Sequence, residues 1–152
     1  MADQAVRCPT DIIFVLDESG SIGSADFNLM KSFVSQLVGR LDIDSGNTRV
    51  GLVTFSSSVG TSFNLNAYST VASVQAAVDS LRYGGGGTNT AAALAHVRTT
   101  MLTSAAGDRS DVPNVVVVLT DGRSASAVRT VVSIQYVYSE TNFILIVNLN
   151  TV

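Results

Sequence analysis

The chain has 152 residues, of which 46% are apolar and 14% charged, with a formal net charge of -3. That length carries one domain with a substantial core, and this balance of hydrophobicity and charge excludes a disordered chain. No basic footprint marks it for nucleic acid or an anionic membrane, and no apolar run approaches the roughly 20 residues of a spanning helix.

Residues 1–7 lack a hydrophobic signal core and read as a tail, which implies either a cytosolic protein or a leader outside this chain. Cys8 is the only cysteine, so no internal disulfide and no cysteine-based zinc site can form. It is either an inert thiol or one whose disulfide mate has been lost. The run Ile12-Ile13-Phe14-Val15-Leu16 reads as a strand buried on both faces. It leads directly into Asp17-Glu18-Ser19-Gly20-Ser21, which delivers one carboxylate and two hydroxyls, at alternate positions, to one rim. Ser24-Ala25-Asp26 has the character of a helix start, with Ser24 or Asp26 able to cap. Phe27, Met30, Phe33, Leu37 and Leu41 recur at helical spacing, predicting a helix over 25–41 with these residues on its buried face.

After a turn at Asp44-Ser45-Gly46-Asn47, residues 49–55 read as a second strand, joined through Ser56-Ser57-Ser58 to a third at 59–64 as a hairpin. Val71, Val74, Val78 and Leu81 predict a helix over 70–82, broken by the glycines at 84–87. Residues 90–101 are alanine-rich and helical, with Leu94, Val97 and Met101 on one face. A loop at 108–114 precedes the strand 115–119, which ends in Thr120-Asp121-Gly122. Residues 127–139 are ambiguous: dense in Val and Tyr, yet placed where a helix must cross back. Residues 143–147 read as the last strand. Strands alternating with helices predict an α/β fold. It is a doubly wound, mostly parallel central sheet with one antiparallel edge strand and helices on both faces. Ligands of such sheets bind beyond the carboxyl ends of the strands, where Asp17 and Asp121 both lie.

Asp17, Ser19, Ser21, Thr88 and Asp121 offer hard oxygen ligands, suited to Mg²⁺ or Mn²⁺ and compatible with Ca²⁺. Each segment also has a plain reading. Asp17 and the serines can form an Asx-turn and cap, Asp121 can be a turn residue, and Thr88 can cap the helix that starts near Thr90. A parallel sheet converges all three segments on one rim, and that favours a metal site. Two carboxylates and neutral hydroxyls leave a dication electrophilic, able to accept one more anionic oxygen from a partner. Catalytic readings are poor. His96, the only histidine, sits in the alanine-rich helix as a surface or packing residue, and there is no G-x-S-x-G elbow or P-loop lysine. A metal-dependent hydrolase would want a further base or a second metal.

The motifs Asp17-x-Ser19-x-Ser21, Gly85-Gly86-Gly87-Thr88-Asn89-Thr90 and Leu119-Thr120-Asp121-Gly122-Arg123-Ser124 resemble those of the von Willebrand factor type A domain, the integrin I-domain fold. Residues 11–17 and 48–56 resemble its matrix-protein branch, as in collagen VI and matrilins. The likeness covers roughly residues 8–124, in a single domain expected to span 8–152. The resemblance implies that Asp17, Ser19, Ser21, Thr88 and Asp121 form the family's metal-ion-dependent adhesion site. There Mg²⁺ or Mn²⁺ bridges to an acidic side chain of a protein such as collagen. It also implies a non-catalytic adhesion module, extracellular by analogy, with Tyr83, Asn89 and Arg123 on the partner-binding rim. A structural matrix module that assembles independently of the metal is the alternative; an intracellular protein of the same family is another.

The sequence departs from the family over 125–152. Ala125-Ser126-Ala127-Val128-Arg129 replaces the usual acidic helix start, and Asn148-Leu149-Asn150 replaces a glycine-bounded strand end. The family's C-terminal helix and the second cysteine of many matrix domains have no counterpart here. A truncated or alternatively spliced product would explain all of this, and the apolar surface left exposed would favour self-association.

Overall fold

The computed structural model describes residues 8–123 and 143–148. In chain order these form β1 (Thr10–Asp17), α1 (Gly23–Val38), β2 (Thr48–Phe55), β3 (Val59–Phe63), α2 (Val71–Asp79), α3 (Thr90–His96), β4 (Asn114–Thr120) and β5 (Phe143–Asn148). The sheet order is β3-β2-β1-β4-β5. Every neighbouring pair is parallel except the β2–β3 hairpin, which places one antiparallel strand at the edge. The ambiguous stretch 127–139, the residues of the departure at 125–129 and the first seven residues lie outside the described residues.

Strand alternation divides the core into two layers. On one face Phe14, Leu16, Val117 and Leu119 pack with Phe27, Met30, Val34 and Val38 of α1 and Val74 and Val78 of α2. On the other, Ile13, Val15, Val116 and Val118 pack with Ala93 and Leu94 of α3 and with Val97 and Met101 beyond it. β1 and β4 are therefore buried on both sides, which is why they read as unbroken apolar runs. Among the described residues no helix is long and apolar enough to cross a membrane.

Three local expectations are corrected. The buried stripe of α1 runs through Phe27, Met30, Val34 and Val38, while Phe33 is 47% exposed. Leu37 is partly buried against the same core, and Leu41 lies beyond the helix, which ends at Val38. Neither Ser24 nor Asp26 caps α1. The helix begins earlier, at Gly23, its N-cap position is Ile22 and no side chain caps it, because the chain turns into it straight from the Asp17–Ser21 loop. The alanine-rich helix is α-helical only to His96. It continues as a π-helical turn over Val97–Met101, closed by Leu102 N–H donating to the Val97 carbonyl at 2.9 Å.

Gly107 closes a turn at the far end of the sheet, with φ of 96°. A Cβ there would lie 2.7 Å from both the backbone nitrogen and Cβ of Asn66, and the Gly107 carbonyl accepts from the Arg49 guanidinium at 2.8 Å. Gly107→Ala combines left-handed strain with a backbone collision, so we expect a loss of about 1–3 kcal/mol in urea unfolding. A midpoint equal to wild type would contradict that placement.

Candidate metal centre

β1 and β4 pair in parallel through Leu16 and Leu119, so their ends emerge side by side. Asp17 ends β1 and Asp121 follows β4, and both carboxylate residues are buried. The carboxylate of Asp17 is fixed from two sides. One oxygen accepts the Ser19 N–H at 2.9 Å, and the other accepts the Thr120 hydroxyl at 2.8 Å. The Ser19 and Ser21 hydroxyls lie 3.2 Å apart, so the alternate positions bring both oxygens together. Ser19 is fully buried and Ser21 exposed, which sets the outward direction of the rim.

The glycine segment is stitched to this loop by backbone bonds. Gly20 N–H donates to the Gly86 carbonyl at 2.8 Å and Gly85 N–H to the Glu18 carbonyl at 3.0 Å. Its far side is held by the hairpin serines: Gly87 N–H donates to the Ser57 hydroxyl at 2.8 Å and Asn89 N–H to the Ser56 carbonyl at 2.6 Å. Gly86 has φ of 103°, a conformation that side chains rarely adopt, and this turn carries the segment on to Thr88. Thr88 is half-buried and does not cap α3. The cap is Asn89, whose side-chain oxygen accepts from Ala92 N–H at 3.1 Å.

The rim candidates occupy different places. Tyr83 is half-buried, its ring 5.9 Å from that of Phe27 and its hydroxyl donating to the Ser19 carbonyl at 3.1 Å. Asn89 is engaged as the helix cap. Arg123 is exposed, its backbone N–H donating to the Asp121 carboxylate at 3.0 Å.

Thr120 and Glu18 support the candidate ligands from outside the motif positions. Thr120 orients Asp17, and the signal for it was its position beside a strand-end carboxylate in a parallel pair. Glu18 is 7% exposed, and burial is the main reason its carboxyl is pushed above the ordinary carboxylate range. Hydrogen bonds from the Thr54 hydroxyl and the Gly84 backbone oppose that rise, and the charge of Asp17 adds to it.

The donor set suits a hard dication. It holds two carboxylates, serine hydroxyls in mutual contact, and a threonine on an adjoining loop. Among the described residues no three His, Cys, Asp or Glu side chains converge as a metal-holding group.

The von Willebrand factor type A domain model matches residues 11–145. The collagen alpha-1(XX) chain of Mus musculus is 41% identical over 122 residues, covering 80% of this chain and 9% of that protein. Matrilin-1 of Mus musculus is 40% identical over 126 residues, covering 81% of this chain and 25% of that protein. The chain thus spans a quarter or less of the length of these relatives. Among solved structures, proximal thread matrix protein 1 of the mussel byssus, with zinc in its metal-ion-dependent adhesion site, superposes with a TM-score of 0.82 at 27% identity. That match covers 93% of this chain and 37% of that one. The fold, the matched segment and these relatives agree: the chain belongs to the von Willebrand factor type A domain family.

Proposed function

We propose that the chain is a non-catalytic, divalent-cation-dependent binding module whose partner is an extracellular-matrix protein such as a collagen. The observation that carries this reading is the parallel β1–β4 pair, which brings the buried carboxylates of Asp17 and Asp121 to the same edge of the sheet, with Asp17 fixed by the Ser19 N–H and the Thr120 hydroxyl. Asp17, Ser19, Ser21, Thr88 and Asp121 would hold Mg²⁺ or Mn²⁺, and the ion would supply an electrophilic position for a partner's Glu or Asp. The chain's own contribution is to fix the oxygens beforehand. Thr120 and Ser19 N–H orient Asp17, and Tyr83 supports the Ser19 carbonyl. The collagen and matrilin relatives support a matrix setting.

The test is adhesion of the purified chain to immobilised collagens in Mg²⁺ or Mn²⁺ and in EDTA. Binding should be saturable with cation and vanish on chelation. A second reading, a matrix-assembly module acting away from the metal, is favoured by the apolar side chains on β5. Phe143, Leu145 and Ile146 are 61%, 48% and 49% exposed. Binding or self-association that persists in EDTA and in Asp121→Ala would establish that reading instead.

A further inference from the structure

Asp17 and Glu18 are consecutive, yet their side chains bond to opposite neighbours of β1. Asp17 accepts from Thr120 of β4, while Glu18 accepts from the hydroxyl of Thr54 in β2 at 3.2 Å. We propose that Glu18 is the positioning residue of the metal centre, a buried strut that locks the Asp17–Ser21 loop to the β2–β3 hairpin and to the 84–87 segment bearing Thr88. This rests on the metal reading above, since a strut matters only if the oxygens it spaces have an ion to hold.

Four bonds converge on this residue. Its backbone N–H donates to the Phe55 carbonyl at 2.8 Å, and its carbonyl accepts from Gly85 N–H at 3.0 Å. Its carboxylate accepts from the Thr54 hydroxyl and from the Gly84 backbone. Neighbouring positions are built around that carboxylate. A Cβ at Gly60 would collide with Glu18 Oε1 and with the Thr54 hydroxyl, and a Cβ at Gly84 would sit 3.4 Å from the Glu18 carboxyl carbon. A residue that only filled space would not need to join three separate segments. Glu18 ties the strand end carrying Asp17 to the loop carrying Thr88, so it sets the distance between ligands without touching the ion. Residues that orient ligands in this way typically change metal affinity by about 10–100-fold when removed.

The experiment titrates Mn²⁺ against melting temperature for wild type, Glu18→Ala, Glu18→Gln and Gly60→Ala, with EDTA melts as the reference. Glu18→Ala should move the half-saturating Mn²⁺ concentration upward by about 10–100-fold. Glu18→Gln should stay close to wild type. Its oxygen can face Gly84 N–H and its amide can donate to the Thr54 oxygen, whose own hydrogen can turn to the Thr61 carbonyl at 3.4 Å. Gly60→Ala, which alters none of the proposed ligands, should weaken Mn²⁺ binding by displacing the carboxylate. It should add a smaller loss in the Glu18→Ala background, where only the Thr54 hydroxyl is left to displace.

An unchanged half-saturating concentration with a lowered EDTA melt would make Glu18 a packing residue and overturn the proposal. So would a Glu18→Gln loss as large as that of Ala, which would assign the effect to charge. If Glu18→Ala does not melt cooperatively, Glu18→Gln and Gly60→Ala decide the matter. A wild-type chain indifferent to Mn²⁺ would instead remove the metal reading itself, and the strut with it.

Discussion

Asp17→Ala is expected to abolish the rise in melting temperature that saturating Mg²⁺ or Mn²⁺ gives the wild-type chain. An ion that binds only the folded state stabilises it by about 2.7 kcal/mol at a hundred times its dissociation constant. For a domain of this size that is a rise of roughly 5–10 °C, at about 2–4 °C per kcal/mol. Asp17 would supply one of the two carboxylates of the proposed site, and no third acidic residue converges with them among the described residues. Its removal should therefore leave no measurable increment. It should also lower the melt in EDTA. The Ser19 N–H and the Thr120 hydroxyl would lose their acceptor in a buried site, at a cost of about 1–3 kcal/mol. Asp121→Ala tests the second carboxylate, which accepts from the Arg123 backbone N–H. It should likewise erase the metal increment. Calorimetric scans with and without cation read both quantities, and a full increment in Asp17→Ala would exclude this carboxylate as a ligand.

The candidate site was legible in the sequence because the residues proposed to hold the ion sit on short motifs, two of them directly after the most apolar strands. Once β1 and β4 are read as doubly buried parallel strands, Asp17 and Asp121 must emerge at the same edge. The support beneath the site was less legible. The Thr54–Glu18 bond joins residues 36 positions apart, and the Tyr83–Ser19 bond joins residues 64 apart. No local period announces either. Tyr83 and Asn89 were expected at the rim, and no local pattern announced their further bonds: the Tyr83 hydroxyl donates to the Ser19 carbonyl and the Asn89 side chain caps α3. Phe33 shows the limit of periodicity, since helical spacing marks a stripe without saying which of two adjacent stripes meets the sheet. The expected end of the alanine-rich helix at Met101 was right in position but not in geometry: Leu94, Val97 and Met101 are all buried, although the last turn is π-helical.

Arg109→Ala is expected to destabilise the chain by about 3–5 kcal/mol, the usual cost of breaking a buried ion pair by removing one partner. Asp11, whose side chain is fully buried at the start of β1, accepts from Arg109 Nε at 2.9 Å, from Nη2 at 2.6 Å and from the Arg109 backbone N–H at 2.9 Å. The same guanidinium donates to the carbonyls of Gly46, Asn47 and Thr10. One side chain thus joins β1, the turn before β2 and the loop before β4, at the pole of the sheet opposite Asp17. The six steps along the strand from Asp11 to Asp17 separate the poles by about 20 Å. Truncation would leave the Asp11 carboxylate buried with its Arg109 backbone bond but without its countercharge, and would leave three carbonyls short of a donor. Arg109→Lys should recover little, because an ammonium cannot reproduce the planar fork that serves the carboxylate and the carbonyls together. Removing both partners should cost less than the sum of the single changes, since no charge is then stranded. At that distance the melting increment from Mn²⁺ should survive in every Arg109 variant that still folds. Losing it along with stability would mean that the two poles of the sheet are coupled. Keeping it would show that the clamp holds the scaffold while the loops at the other end hold the ion.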